Sequence, residues 1–123
     1  MWFSCNPRVL STKRESPLVS IEDFAKLQLK VAVVVEAKAH PDADKLLVLT
    51  VDTGGEKKEI VAGIARHYSP AELVGKRVVV VDNLQPATLR GVTSYGMLLA
   101  AQDAEVLSLV TPERAVAPGA SVR

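Results

Sequence analysis

The sequence predicts a small all-β domain of five strands, with one short helix between the third and fourth strands. Segments of strand length that are rich in Val and Leu recur along the chain, and turn-forming residues separate them. The 123 residues suit one domain with a modest hydrophobic core. Almost half of the residues are hydrophobic, mainly Val, Leu and Ala, which is typical of a compact domain and not of a disordered chain.

The first three strands are expected in the first half of the chain. Ser20 can cap a helical turn, and residues 27–39 then form a long strand. Alternation along this strand places four side chains on one face, namely Leu29, Val31, Val33 and Val35. "HPDADK" contains turn residues, and "LLVLTVD" after it is the second strand. "TGGE" is a hairpin signal, so "KKEIVAG" is expected to return as the third strand.

A short helix and two further strands are expected in the second half. Ser69, Pro70 and Glu72 form a capping-box pattern and Gly75 marks the exit, which predicts one or two helical turns. "KRVVVVD" is the fourth strand and "GMLLAA" is the fifth. Five strands with a short helix between the third and the fourth are the pattern of an OB-fold barrel, whose closure removes exposed strand edges.

Residues 1–19 differ from the rest of the chain because they show no hydrophobic periodicity and mix Ser, Pro and charged residues. They are expected to form a flexible leader or linker remnant, and residues 20–123 the folded domain. The formal net charge is +1 and the leader is itself basic, so the folded part is close to neutral. Phosphate binding would therefore need a local basic patch.

The cysteine content and the hydropathy indicate a compartment. Cys5 is the single cysteine and cannot form an internal disulfide, which fits a reducing environment. No apolar run approaches the length needed to span a membrane, and the N-terminus lacks the apolar stretch of a secretory signal. We expect a cytoplasmic protein with no membrane association.

Enzymatic and metal-binding functions find little support in the sequence. His40, Asp42 and Asp44 could be read as metal ligands, but such residues in a proline-containing turn more often bond their own backbone. His67 has no second ligand at zinc spacing, and Ser94 has neither a base partner nor a nucleophile elbow. We therefore expect no catalytic residue, no metal site and no cofactor.

The segment "NLQPATLRGVTSYGMLLAA", residues 83–101, is the candidate binding loop at the barrel mouth. Arg90 offers a planar fork for phosphate or base stacking, and Met97 offers an adaptable apolar surface. Asn83 and Ser94 supply hydrogen-bonding groups. From these residues alone a structural interpretation is equally well supported, in which Met97 begins a buried strand and Ser94 caps a turn.

Five motifs together resemble the tRNA-binding domain family, and they cover residues 20–123. They are "IEDFAKLQLKVAVV", "HPDADKLLVLTVDTGGE", "IVAGIARHYSPAELVGKRVVVV", "NLQPATLRGVTSYGMLLAAQD" and "VAPGASVR". The family occurs in methionyl-tRNA synthetases, in stand-alone tRNA-binding proteins and in the precursor of endothelial monocyte-activating polypeptide. The resemblance implies a non-catalytic OB-fold module that dimerises through extra terminal segments, recognises tRNA by shape, and serves methionyl-tRNA synthetase in cis or in trans.

The resemblance also implies which residues contact tRNA. The family's binding positions fall on Lys45, Asn83, Ser94 and Met97, and we add Arg90 as a phosphate contact. The chain departs from the family's more basic pattern at five positions, which are Lys30, Asp82, Gln85, Ala87 and Thr88. These departures remove phosphate attraction, and Asp82 is expected to add repulsion, so weak and salt-sensitive binding is expected.

Two other functions remain open on sequence grounds. One is a protein-binding chaperone similar to CsaA, which would use the same groove for peptides, although members of that group lack the "HPxADK" and "SxGM" motifs. The other is a dimerisation domain that has lost RNA binding together with its basic residues.

Overall fold

The structure is a computed structural model, and it describes residues 17–123. Most of the predicted leader, including Cys5, therefore lies outside the described residues. Two short helices are present in the described part, α1 (Ile21–Ala25) and α2 (Pro70–Leu73). The strands are β1 (Leu29–Ala39), β2 (Leu47–Asp52), β3 (Lys57–Ala62), β4 (Arg77–Val81), β5 (Ala87–Leu89), β6 (Val92–Ser94), β7 (Met97–Leu98), β8 (Ala100–Asp103), β9 (Val106–Leu109) and β10 (Ser121–Val122).

The main sheet confirms the predicted all-β class and the OB-like barrel. Its strands follow the order β3-β2-β1-β4-β7, every neighbouring pair is antiparallel, and β10 adds to β1. The sheet curls into a nearly closed barrel around a core of Val, Leu and Ile side chains, among them Leu49, Ile60 and Val80. The predicted helix between the third and fourth strands is α2, and its Leu73 is fully buried in that core.

The first strand bends where the predicted alternation fails. Ala32 and Val34 point into the core, whereas Val35 is 39% exposed. The pairing of β1 with β2 shifts register between Val34 and Glu36, which is a β-bulge at Val35. A bulge inserts one unpaired residue and increases the local twist. It lets one long strand pair with β4 in its first half and with β2 in its second half.

The predicted fifth strand, "GMLLAA", is two strands in the structure. Met97 and Leu98 pair with β4, and Ala100–Asp103 pairs with β9 in a separate hairpin. The division occurs at Leu99, whose N–H bonds to Val79 O and whose C=O accepts from Val110 N. Val110, the residue that follows β9, is bonded to the barrel at Val79, because the Val79 N–H donates to Val110 O.

The segment predicted as an irregular binding loop contains a β-hairpin. Leu89 pairs with Val92, and the two-residue turn between them has positive φ at Arg90 (53°) and Gly91 (90°). Positive φ at both central residues is the geometry of a type I′ turn, whose twist matches that of the flanking strands. We call β5, β6 and this turn the β5–β6 hairpin.

The β5–β6 hairpin packs on the outer side of β2 and β3. Leu46, Val48 and Val61 form a small second core, and Leu89 and Val92 of the hairpin pack against it. Both faces of β2 and β3 are therefore covered at this point. This second core fixes the position of the hairpin on the barrel.

The C-terminal segment closes back on the beginning of the barrel. Val122 pairs with Leu29, so β10 lies beside the start of β1. Gly119 crosses the β2–β3 turn at Gly54, and a Cβ added to Gly54 would lie 2.9 Å from Pro118 O. No helix within residues 17–123 is long and apolar enough to cross a membrane.

Candidate nucleic-acid interface

A groove with three cationic side chains lies beside the turn of the β5–β6 hairpin. It has a volume of ≈ 380 Å³ and is lined by Ala43, Asp44, Lys45, Leu46, Arg66 and Arg90. We call it the basic groove. Lys45, Arg66 and Arg90 are exposed, and Asp44 is the one acidic residue that lines the groove with them. The groove therefore forms a local basic patch of the kind that a nearly neutral domain needs in order to bind phosphate.

Backbone and side-chain hydrogen bonds hold one wall of the basic groove to the hairpin. Arg90 Nη2 donates to Asp42 O over 3.0 Å. His40 is 5% exposed; its Nδ1 accepts from the Asp42 N–H at 2.9 Å, and its Nε2 lies 3.0 Å from Leu89 O. Because Nδ1 accepts, the proton of the neutral ring is on Nε2, which donates to Leu89 O. The turn after β1 and the β5–β6 hairpin therefore form one unit.

The contacts of His40 also agree with the turn interpretation of the "HPDAD" segment. Its backbone is bonded within the turn, as the turn interpretation expects, although the acceptor is the His40 ring rather than a carboxylate. No group of three His, Cys, Asp or Glu side chains within residues 17–123 is arranged to hold a metal ion.

Arg66 is a groove residue that the sequence did not single out. It follows buried Ile64 in the turn after β3, and the neighbouring Ala65 N–H bonds to Lys45 O over 3.2 Å. That bond brings the turn after β3 beside the turn after β1. The partners are 20 positions apart in the chain, so only a correct strand pairing of β2 with β3 would have revealed the contact.

Ser94 is buried in the structure, with 1% of its surface exposed. Its Oγ accepts from the Val61 N–H at 2.9 Å and donates to Gly96 O at 2.9 Å. The hydroxyl thus fastens the end of the hairpin to β3. In this structure it has no free hydrogen-bonding capacity directed at solvent.

Asn83 is exposed, but its amide group is bonded to the backbone before β1. Oδ1 accepts from the Gln28 N–H at 2.8 Å, and Nδ2 donates to Lys26 O at 2.6 Å. The side chain therefore holds the α1–β1 connection against the end of β4. Met97 is half-buried and begins β7, where it pairs with Val81.

Of the five side chains predicted to bind tRNA, the structure brings Lys45 and Arg90 into one groove. Asn83, Ser94 and Met97 do not line it. Gly96, between Ser94 and Met97, has a steric reason to be glycine, because a Cβ there would lie 3.0 Å from Val81 O.

A second groove lies at the other end of the hairpin. It has a volume of ≈ 490 Å³ and is lined by Glu56, Lys57, Lys58, Glu59, Asp82, Leu84, Pro86 and Tyr95. We call it the tyrosine groove. Its aromatic residue, Tyr95, is 47% exposed.

Asp82 in the tyrosine groove is bonded to two lysines. Lys58 Nζ lies 2.7 Å from Oδ1 and 3.0 Å from the backbone O of Asp82, and Lys30 Nζ lies 3.1 Å from Oδ2. Partial burial raises the pKa of this carboxyl, but the hydrogen bonds and charges of Lys58 and Lys30 outweigh it, so the pKa is lowered. The expected repulsion of phosphate by Asp82 is therefore offset by two cations in direct contact.

The model of a protein family described as "Putative tRNA binding domain" matches residues 29–121. The chain belongs to the tRNA-binding domain family. The matched range contains the whole barrel from β1 into β10, the β5–β6 hairpin and every residue of the basic groove. The resemblance inferred from the five motifs is confirmed, and the chain is a tRNA-binding module.

Relatives with curated names are methionine–tRNA ligases. The chain is 50% identical to the ligase of Pyrococcus horikoshii over 111 residues, and 50% identical to that of Thermotoga maritima over 114 residues. These matches cover 90% and 93% of the chain but only 15% and 18% of the ligases. The tRNA-binding domain family therefore accounts for a minor part of each ligase, and the chain corresponds to that non-catalytic part.

Two solved structures share the fold along their whole length. A MetRS-related protein from Pyrococcus horikoshii aligns with a TM-score of 0.82 at 38% identity, over 88% of this chain and 100% of that one. The chaperone CsaA from Bacillus anthracis aligns with a TM-score of 0.78 at 27% identity, over 87% and 100%. Both comparisons agree with the OB-like barrel derived from the strand order.

Proposed function

We propose that this chain is an auxiliary, structure-specific tRNA-binding domain that serves methionyl-tRNA synthetase in the cytoplasm, either fused to the enzyme or as a separate subunit. The observation that carries the proposal is the placement of Lys45, Arg66 and Arg90 in one groove on a domain of this family. Phosphate contacts position a nucleic acid without reading its sequence. The arrangement therefore suits binding that does not depend on sequence, as structure-specific recognition requires.

The number of cations in the basic groove sets the expected strength of binding. Each neutralised phosphate adds about 0.9 to the slope of log affinity against log salt on a duplex. Three groove cations therefore give a slope of about −3 and an affinity in the micromolar range of non-specific association. Weak binding is sufficient for a domain that is linked to a second tRNA-binding surface, because the linkage raises the effective concentration of the bound tRNA at the weaker site.

The remaining predicted residues have different roles in this proposal. Ser94 and Asn83 act by fixing the backbone, Ser94 at the hairpin and Asn83 at the α1–β1 connection. Met97 offers a half-buried apolar surface at the start of β7 for an exposed base.

The test is tRNA binding by Lys45→Ala, Arg66→Ala and Arg90→Ala, alone and combined, over a salt series. Each single variant is expected to lower the salt slope by about one unit, and the triple variant is expected to abolish the preference for tRNA over a length-matched unstructured RNA. Arg114→Ala is the matched control, because Arg114 is an exposed arginine that lines neither the basic groove nor the tyrosine groove. An unchanged slope in the triple variant would remove the basic groove from the interface.

We also propose that the domain forms a homodimer through its terminal segments. Exposed apolar side chains in the segments that precede β1 and follow β7 support this, namely Leu18, Ile21 and Val106, which are 98%, 74% and 67% exposed. Mass in solution tests the proposal: a dimer is expected for the wild type, and Ile21→Glu with Val106→Glu is expected to yield a monomer. A monomeric wild type at all concentrations would contradict it.

The second candidate function is protein binding of the kind carried out by a chaperone, and the structural match to CsaA favours it. An unfolded peptide that competes with tRNA for the basic groove would support this candidate. A dimer that binds neither RNA nor peptide at low salt would instead indicate a pure dimerisation domain.

A further inference from the structure

The two grooves at the ends of the β5–β6 hairpin differ in charge. Three cations and one carboxylate line the basic groove. Two lysines and three carboxylates line the tyrosine groove, and Lys30 from outside the lining completes the bonds to Asp82. The tyrosine groove therefore has no net positive charge. It is suited to an uncharged part of a nucleic acid and not to its phosphates.

Tyr95 stands on a rigid support at the edge of the tyrosine groove. Its backbone N–H bonds to Glu59 O over 2.9 Å, and both of its chain neighbours, Ser94 and Gly96, are buried. Nearly half of the residue is nevertheless exposed. A tyrosine with a fixed backbone and an accessible ring loses little conformational entropy when a flat ligand stacks on it.

The other walls of the tyrosine groove suit a flat apolar ring with polar edges. Leu84 and Pro86 are apolar, and the proline is restricted in its backbone conformation. Exposed carboxylates of Glu56 and Glu59 line the same groove and can accept hydrogen bonds from amino groups. The carboxylate of Asp82 is engaged by lysines and contributes no free negative charge.

We propose that the tyrosine groove receives one unpaired nucleobase of the bound tRNA, stacked on Tyr95, while the basic groove holds phosphates of the same RNA. The inference rests on the proposed tRNA-binding function and adds a base-binding subsite to it. Unpaired RNA bases that are splayed out stack on aromatic side chains and present their edges to hydrogen-bonding groups. The carboxylates of Glu56 and Glu59 favour a base that carries an exocyclic amino group over uracil.

The spacing of the two grooves fits one RNA strand. The hairpin strands are three residues long, so the turn at Arg90 lies about 10 Å from the hairpin base at about 3.3 Å per residue. A few nucleotides of one strand can therefore span from the basic groove to Tyr95. The hairpin joins a phosphate site and a base site in a fixed relative position.

The experiment compares Tyr95→Ala, Tyr95→Phe and the wild type in tRNA binding over a salt series. Tyr95→Ala is expected to weaken binding by about tenfold and to leave the salt slope unchanged, since the stacked ring carries no charge. Tyr95→Phe, which keeps the ring, is expected to retain wild-type affinity. Val74→Ala is the control, because Val74 is 52% exposed just after α2, lines neither groove and is expected to change nothing.

A second measurement observes the ring directly. With tyrosine labelled for NMR, the Tyr95 ring signals are expected to shift upfield when tRNA is added, as stacking under a base requires. Equal tRNA binding by Tyr95→Ala and wild type, without a ring shift, would overturn the base subsite and leave the phosphate groove intact. Loss of peptide binding but not of tRNA binding in Tyr95→Ala would also overturn it. If the wild type itself bound no tRNA, the proposed function would fail first.

Discussion

Arg90 and Asp42 join the two turns that border the basic groove: the Arg90 guanidinium donates to the Asp42 carbonyl over 3.0 Å. Arg90 also occupies the first position of a type I′ turn at a φ of 53°, a conformation that costs a non-glycine residue energy. Arg90 therefore has three roles: it adopts the left-handed conformation of the turn, it links two turns through a hydrogen bond, and it adds a positive charge to the basic groove. A suitable substitution of Arg90 can remove the charge and the hydrogen bond while it keeps the turn conformation.

Arg90→Asn is expected to weaken tRNA binding while preserving the fold. Asparagine followed by glycine is favoured in a type I′ turn, so the gain in turn conformation offsets the lost bond to Asp42 O. We expect the free energy of unfolding to change by less than about 1 kcal/mol and the salt slope of tRNA binding to fall by about one unit. Urea unfolding and a salt titration measure the two effects. A large loss of stability would show that the Arg90–Asp42 bond dominates.

Ser94→Ala is expected to destabilise the protein without lowering the salt slope. The substitution leaves the Val61 N–H and Gly96 O without their buried partner, which costs about 1–3 kcal/mol. Thermal and urea unfolding measure the loss, and Ser121→Ala at an exposed position is the control. If Ser94→Ala kept its stability but bound tRNA more weakly, the hydroxyl would be contacting RNA directly.

Asp82→Asn is expected to reduce stability at neutral pH and to remove a pH dependence. Because the pKa of Asp82 is lowered in the folded protein, its contribution is complete above the unfolded value, near 4, and is lost as the pH falls through the folded pKa. We expect a loss of about 1–2 kcal/mol at pH 7, shrinking as the pH falls from 4 toward 2. Urea unfolding at several pH values measures this. A difference that stayed constant across the range would contradict it; Asp103→Asn, at an exposed position of β8, is the control.

Gly54→Ala is expected to be more destabilising than Gly55→Ala. Both glycines have positive φ, 96° and 107°, so both substitutions strain the backbone. A Cβ on Gly54 would also lie 2.9 Å from Pro118 O, whereas a Cβ on Gly55 meets open space. We expect Gly54→Ala to cost at least about 2 kcal/mol, and the difference between the two isolates the contact with the C-terminal segment. Equal losses in urea unfolding would mean that the segment moves aside.

The barrel was predictable from sequence because its strands are long, rich in Val and separated by recognisable turns. The capping box of α2 was also predictable from its local residues, and in the structure the Glu72 carboxylate accepts a hydrogen bond from the Ser69 N–H at 2.8 Å. The bulge at Val35 was not predictable, since it depends on β1 pairing with different partners along its length. The β5–β6 hairpin was missed because its turn lacks the usual asparagine and has arginine in a left-handed conformation.

Of the proposed site, the sequence suggested only side chains that extend from exposed turns. Lys45 and Arg90 are such side chains, and they share a groove; their contact with tRNA stays a prediction. Arg66 was missed because it lies in the turn after β3, and only the pairing of β2 with β3 brings that turn beside the groove. The donor to Asn83 Oδ1 is 55 residues away along the chain, so the local sequence does not show that this amide is already bonded. Ser94 has one distant partner, the Val61 N–H 33 residues away, and one local partner, Gly96 O, which agrees with the alternative that Ser94 caps a turn.

The pairing of Leu29 with Val122 also has a mechanical consequence. These residues lie where the barrel strands begin and end, so tension applied through both ends of the barrel acts on adjacent points of an antiparallel pair. Such a load peels β10 from β1 one hydrogen bond at a time and does not shear the whole pair at once. The Gly54–Gly119 contact would separate next, before β1 is pulled from β2 or β4. A domain stretched between two tethers would thus yield first at its C-terminal strand, while both grooves stayed folded.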